Sequence, residues 1–356
     1  MSTSKTNPGN YFEDFKIGQV LDHATPRTIT EGDVSLYTAL YGGRFALQSA
    51  DSFAMDCGLD AAPVDNLLVF HIVFGKTVPD VSLNAVANLG YADVQFKAPV
   101  FPGDTVKTSS TVIGLKENSN GKTGVVYVRS IGTNQMGAIV LDYVRWVMVR
   151  KKDEAAPAPE TVVPDLPNRL DPAQLSIPQG LDFFAYDATL AGSPHYFEDY
   201  EVGEKIDHVD GMTIEEAEHM MATRLYQNTA KVHFNQHQMQ NDRFGRRLIY
   251  GGHIISLARA LSFNGLGNAQ LIGAINGGSH TAPTFAGHTI YAWSEVLEKA
   301  GLPNNPTAGA LRIRTKATKD IACNDFPSEL ADGKRDPAVV LDLDYWVILP
   351  KRTITV

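Results

Sequence analysis

Four histidines fall within 35 residues of one another in the second half of the chain: His219, His233, His237 and His253. An imidazole titrates near neutral pH, so it can take a proton, give one or ligate a metal. The spacings of these four match no metal-binding pattern, and the only two cysteines, Cys57 and Cys323, are far apart. No metal site is therefore expected. The chain has no Gly-x-Ser-x-Gly elbow and no Gly-Lys-Ser/Thr phosphate loop, so neither nucleophile nor nucleotide motifs compete for attention. Proton transfer at a histidine remains. On residue type alone, His233 also fits an ordinary hydrogen-bonded loop histidine, and His71, inside an apolar run, reads as a satisfied core residue.

The elements that must position these residues come in two copies. Tyr11-Phe12-Glu13-Asp14 with Gly18 recurs 185 residues later (196 − 11) as Tyr196-Phe197-Glu198-Asp199 with Gly203. Thr28-Ile29 recurs as Thr213-Ile214, and Ala98-Pro99-Val100-Phe101-Pro102-Gly103 as Ala282-Pro283-Thr284-Phe285-Ala286-Gly287. Trp146-Val147 recurs as Trp346-Val347, where the shift has grown to 200 (346 − 146), which places an insertion at the polar stretch Asn324–Arg335. Copies this long are duplicated domains and not a solenoid. The predicted units are residues 1–152, a proline-rich linker 153–194 and residues 195–356. The apolar residues of the linker, Val162 to Phe184, predict that it packs along a surface while staying irregular.

Each copy predicts one helix followed by strands. Ile254, Leu257, Ala258 and Leu261 fall at helical spacing within Gly251–Leu266, and Asn66–Val78 is an apolar stretch stopped by Pro79,. Runs at Thr105–Leu115, Gly124–Gly132 and Ile139–Val149, then Thr289–Val296, Ala310–Thr318 and Val339–Leu349, are rich in strand-forming residues,. Gly273–Gly278 lacks a dinucleotide fingerprint and reads as a tight turn or a ligand-facing strand. The fold class is α+β, each half an antiparallel sheet wrapped around a central helix.

Bulk properties narrow the partners. A formal charge of −9 over 356 residues argues against nucleic acid, although an anionic ligand depends on local charge,. No stretch approaches the roughly 20 apolar residues of a membrane span. The beginning MSTSKTNPGNYFEDF has no apolar run behind a basic one, and cysteine is scarce. A cytoplasmic setting is expected.

The repeated Tyr-Phe-Glu-Asp-x-x-x-Gly, the Leu248-Ile249-Tyr250-Gly251-Gly252 that opens the second helix, and the Ala-Pro-x-Phe-x-Gly before a strand resemble the MaoC-like hydratases. The runs from Leu67 to Ile72 and from Tyr226 to His233 resemble their mesaconyl-CoA hydratase branch, also called β-methylmalyl-CoA dehydratase. The resemblance covers nearly the whole chain. It implies a tandem (double) hot-dog fold and the reversible hydration of a branched, dicarboxylic enoyl-CoA. Coenzyme A is then part of the substrate, and no separate cofactor is expected. The covalent tandem supplies the paired unit, so homo-oligomerisation is compatible with it but not required.

The family segment Asp-x-Asn-Pro-x-His aligns its histidine with His233 and its aspartate with Asn228; Tyr250-Gly251 replaces a His-Gly. Asparagine is no base. Either Asn228 orients the water while His233 handles the protons, or a carboxylate comes from Glu215, Glu216 or Asp242. The helix start Tyr250, Gly251, Gly252 and His253 is expected to polarise the thioester through its amides. In the first copy Gly43 and Gln48 stand opposite Asn228 and His233, so that half should be inactive and should cradle the ligand. Its candidates are Pro63, Val64, Asp65 and Asn66, entering the helix with unpaired N–H groups, and Leu89, Gly90, Tyr91 and Ala92, where glycine permits close approach. For the second substrate carboxylate the candidates are Lys231, then Arg44. Two other readings stay open: a non-catalytic acyl-thioester-binding protein, and a thioesterase on the same fold.

Overall fold

The computed structural model describes residues 5–330 and 332–352. Among the described residues eleven strands carry the fold: β1 Val20–Thr28, β2 Ala85–Phe96, β3 Thr105–Glu117, β4 Thr123–Thr133, β5 Ile139–Arg150, β6 Lys205–Asp207, β7 Met212–Thr213, β8 Leu271–His280, β9 Thr289–Leu302, β10 Asn305–Lys319 and β11 Val339–Pro350. They form one antiparallel sheet in the order β1-β3-β4-β5-β2-β8-β11-β10-β9-β6, with β7 paired to β9. The first half contributes β1 to β5 and the second β6 to β11. The halves join where β2 meets β8, with Tyr91 opposite Gly278 and Val94 opposite Ile275. Closing two sheets edge to edge leaves neither with an unpaired central strand.

Each half encloses one helix, Asn66–Thr77 in the first and Gly251–Leu261 in the second. Residues Leu67 to Thr77 are all buried. A helix apolar on every side needs such complete cover. It ends at Thr77, just before a π-helical turn that contains Pro79, as a proline that cannot continue the ladder requires,.

The duplication is visible as contacts between equivalent residues. The Tyr41 hydroxyl lies 2.7 Å from the Tyr226 hydroxyl, and His71 Nε2 lies 2.9 Å from Ser256 Oγ; both pairs are 185 residues apart. These polar groups sit in the otherwise apolar seam between the helices, and pairing them avoids the cost of burying them unsatisfied.

The linker packs as its apolar residues predict. Val162 exchanges backbone hydrogen bonds with Leu115. Leu170, Leu175, Leu181 and Phe183 are buried in one cluster with Leu271, Trp346 and Ile348 of the second half, while Val163 and Phe184 are exposed. The polar insertion falls between β10 and β11, where Trp293 Nε1 donates to the Pro327 carbonyl.

Two readings of the first half need correction. Leu89–Ala92 lies inside β2, and a Cβ on Gly90 would come 2.4 Å from the Trp146 ring. Gly90 makes room for an indole, while Tyr91 beside it is buried with its hydroxyl 3.3 Å from His280 Nε2. At the helix entry the N–H groups are not left free: the Asp65 carboxylate accepts from Leu67 N at 2.7 Å, and Val64 N donates to the Val100 carbonyl. Asn66 turns its amide to the Ile272 carbonyl. A self-capped start has its anion-binding position already filled.

Candidate active site

The second half treats the same position differently. Tyr250, the counterpart of Asp65, is the N-cap of Gly251–Leu261 and makes no side-chain cap. Its own N–H donates to His219 Nε2 at 2.9 Å. The helix therefore starts without the carboxylate that closes its twin, and its positive end is available to a carbonyl oxygen.

His233 stands beside this start. It lies in the short helix Lys231–Phe234, and its ring is 5.5 Å from the Tyr250 ring and 6.0 Å from that of His219. Its Nδ1 lies 2.9 Å from the Leu248 carbonyl. A carbonyl only accepts, so Nδ1 carries the proton and the Nε2 lone pair is left free. Burial pushes the imidazole down to about 4, against a smaller upward pull from that carbonyl. At neutral pH it is an unprotonated base.

Asn228 is buried, 4% exposed. Its Oδ1 accepts from Ala230 N at 3.0 Å, which fixes the amide orientation, and its Nδ2 has no partner. Gln227, just before it, holds a positive φ of 53°. Lys76 of the first half donates to the Gln227 side chain and to Thr25 Oγ1. The first-half helix thereby braces the turn that presents Asn228.

Further rings complete the enclosure. His280, at the end of β8, stands against Gly251 and has Nε2 3.3 Å from the Tyr91 hydroxyl. His253 points Nδ1 at the Tyr41 hydroxyl, 2.8 Å away, and its buried Nε2 is unpartnered. His71 is the satisfied core histidine that its apolar surroundings predict, bonded to Ser256. Burial lowers His71 and His253 to about 3 and His280 to about 4, and pushes His219 well below its ordinary value. The site is a nest of neutral rings. Among the described residues no group of three or more His, Cys, Asp or Glu is placed to hold a metal.

The remaining sequence candidates separate. None of the three carboxylates is hydrogen-bonded to His233 among the described residues: Glu216 pairs with Arg247, and Glu215 and Asp242 are exposed. Lys231 shares a helical turn with His233 but is exposed. Arg44 stacks at 4.4 Å on Phe263, beyond the far end of the helix that Tyr250 opens. A buried substrate carboxylate needs a buried cation, and neither residue is one. Of the first-half ligand candidates Tyr91 reaches the site, against His280, and His280, Tyr41 and Tyr226 converge there without being marked by residue type. Period two along β8, which puts Gly278 and His280 on one face, is the signal that marks His280.

The neutral histidines make acid stability a test of this packing. Their folded values, about 3 for His71 and His253 and about 4 for His208, His233 and His280, lie below the ordinary 6.5. As pH falls below 6.5 the unfolded chain takes up protons that the folded one refuses until about 4. Stability is therefore full above 6.5 and is lost downwards, at about 1.4 kcal/mol per pH unit per histidine. Urea midpoints measured at pH 7.5, 6 and 5 should fall steeply; a constant midpoint contradicts the burial of these rings.

Comparison with known proteins gives a consistent result. A family model described as mesaconyl-CoA hydratase matches residues 2–327. A β-methylmalyl-CoA dehydratase of Chloroflexus aurantiacus is 65% identical over 350 residues, covering 98% of this chain and 99% of that protein. A mesaconyl-CoA hydratase of Cereibacter sphaeroides is 61% identical over 347 residues, covering 98% and 100%. The crystal structure of a Chloroflexus aurantiacus protein described as a MaoC domain dehydratase superposes with a TM-score of 0.96 at 65% identity, over 99% of this chain and 100% of that one. A Mycobacterium tuberculosis protein with a double hot-dog fold, at 24% identity and a TM-score of 0.73 over 96% and 98%, shares the fold.

Proposed function

The chain belongs to the mesaconyl-CoA hydratase family, and from that premise we propose how its residues carry the reaction. The enzyme is a hydro-lyase that interconverts mesaconyl-CoA and β-methylmalyl-CoA. Water adds to the carbon β to the thioester, and a proton adds to the α-carbon. The negative charge that develops between these events rests on the thioester oxygen.

In our reading that oxygen sits at the amides of Gly251 and Gly252, where no side chain caps the helix. Dipoles fixed in a water-poor site stabilise the charge without reorganising. Asn228 Nδ2 donates to the oxygen of the attacking water, and His233 Nε2 accepts one of its protons. His233 then carries that proton to the α-carbon, which returns the imidazole to its starting form. In the dehydration direction the same base removes the α-proton first. The observation that carries this assignment is the tautomer lock on His233, with Nε2 free while Asn228 Nδ2 is unpartnered. Gly43 and Gln48 offer no equivalent in the first half, and Asp65 closes its helix start.

Coenzyme A enters as part of the substrate, and no separate cofactor has a role in these steps. The free thiols of Cys57 and Cys323 support a reducing, cytoplasmic setting,. Turnover is measured by adding mesaconyl-CoA to the purified chain and following loss of the conjugated-thioester absorbance. Loss of absorbance with β-methylmalyl-CoA as product is the expected result. Free coenzyme A as the first product, or no reaction in either direction, counts against the reading.

A further inference from the structure

Resting on that hydratase reading, we propose that Arg145 binds the free carboxylate of the acyl group, beside the rings of Phe74, Tyr91 and Tyr250. Arg145 lies on β5 and is completely buried, 0% exposed. Among the described residues no carboxylate oxygen lies within ion-pair distance of it. Its partners are neutral: Nη2 donates to Thr77 Oγ1 at 2.6 Å, longer contacts reach Ser82 Oγ and Asn88 Oδ1, and Nε has no partner. The Asn88 Nδ2 group is likewise buried and unpartnered. A guanidinium taken out of water without an anion is among the costliest arrangements in a protein. Its planar fork matches a carboxylate with two parallel hydrogen bonds.

The position fits a dicarboxylic substrate. The guanidinium carbon lies 4.3 Å over the Phe74 ring, which is 5.5 Å from the Tyr250 ring and 6.2 Å from the Tyr91 ring. Tyr250 is in turn 5.5 Å from His233, and Tyr91 touches His280 beside Gly251. Arg145 thus borders the site from the first half. Like the buried Lys76 ammonium, which is taken up by Gln227 and Thr25, it brings a positive charge beside neutral rings. On mesaconyl-CoA the carboxylate sits on the carbon that water attacks, where an unscreened negative charge would oppose the incoming oxygen.

The fold itself does not demand an arginine there. The equivalent residue of the second half is Tyr345, 200 residues on as Trp346 is from Trp146, flanked by inward-facing Leu343 and Val347. The other buried arginine of the core, Arg259, is different: the Asp65 carboxylate lies within electrostatic range of it, at the end of the second helix away from His233.

The test compares two substrates of one shape, mesaconyl-CoA and 2-methylcrotonyl-CoA, in which a methyl replaces the carboxylate. Arg145→Met should lower kcat/KM for mesaconyl-CoA by about 100-fold or more, the cost of leaving one charge of a buried pair alone. It should leave 2-methylcrotonyl-CoA unchanged or improved, and Arg145→Lys should fall between. Equal losses on both substrates, or none, overturn the proposal. Binding of the unreactive saturated analogues gives a readout that needs no chemistry. The native chain should be stabilised against heat by methylsuccinyl-CoA more than by 2-methylbutyryl-CoA, and Arg145→Lys should narrow that gap. Equal stabilisation of the native chain by both overturns the assignment even where Arg145→Met does not fold. A native chain that prefers methylsuccinyl-CoA yet leaves mesaconyl-CoA untouched would instead sink the hydratase reading alone.

Discussion

His233→Ala should cut the rate of mesaconyl-CoA hydration by about 1,000-fold or more, the upper range for a positioned acid–base group, because one imidazole handles both protons. The loss should appear in kcat. The acyl-CoA should still bind, since the helix start of Gly251–Leu261 and the first-half rings are untouched. The ring makes one side-chain hydrogen bond, to the Leu248 carbonyl, so the fold should survive and the far-ultraviolet circular dichroism should not change. A loss below about tenfold would mean that some other group supplies the base. Asn228→Ala should cost less, because the water loses a donor but keeps its acceptor.

Gly252→Ala should be the most damaging change that removes no functional group. An added Cβ would lie 2.4 Å from Tyr250 Cε1 and 2.5 Å from His71 Cε1. Both rings are buried, and His71 is held by Ser256. Neither has room to retreat, so the helix start must shift. A displacement on the order of 1 Å at donors that must stand about 3 Å from a developing oxyanion costs on the order of 100-fold in rate. Overpacking should also lower stability by about 1–3 kcal/mol. Gly43→Ala is the control, because nothing lies within 4 Å of its added Cβ. It should leave both rate and melting temperature near the native values. A Gly252→Ala enzyme of native activity would show that those amides do not hold the thioester oxygen.

Much of the fold is legible in the residues because the chain states it twice. The six strand runs that were predicted all fall within β3, β4, β5, β9, β10 and β11, and both central helices lie where apolar spacing puts them. The strands β1, β2, β6 and β7 escape such reading, and at β8 the residues leave a tight turn and a ligand-facing strand both open. β2 carries Ala85, Ala87, Gly90 and Ala92, and β8 carries Gly273, Gly277 and Gly278. Small residues are what the junction of two sheets and the Trp146 ring lying over Gly90 require, and they erase the strand signature,.

The site is less legible for a physical reason. His233 is singled out by resemblance, since residue type does not reveal which nitrogen Leu248 ties down. Asp65 looks like an open helix entry in sequence, but its own carboxylate closes it. Arg145 reads as one more surface charge until its register is noticed. It alternates with Leu141, Tyr143, Val147 and Val149, each 0% exposed, and period two commits it to the inner face,. A charged residue in an otherwise apolar inward register was the available signal.

The central claim is that one imidazole on one face of the substrate both takes the proton from water and delivers it. Hydration of mesaconyl-CoA in deuterium oxide tests it most directly, with the β-methylmalyl-CoA formed analysed by proton NMR before any back-exchange. A single base should place hydroxyl and deuterium on the same face, giving one syn diastereomer with one deuterium at the α-carbon. Anti addition would require a second proton donor on the opposite face and would contradict the assignment of both transfers to His233.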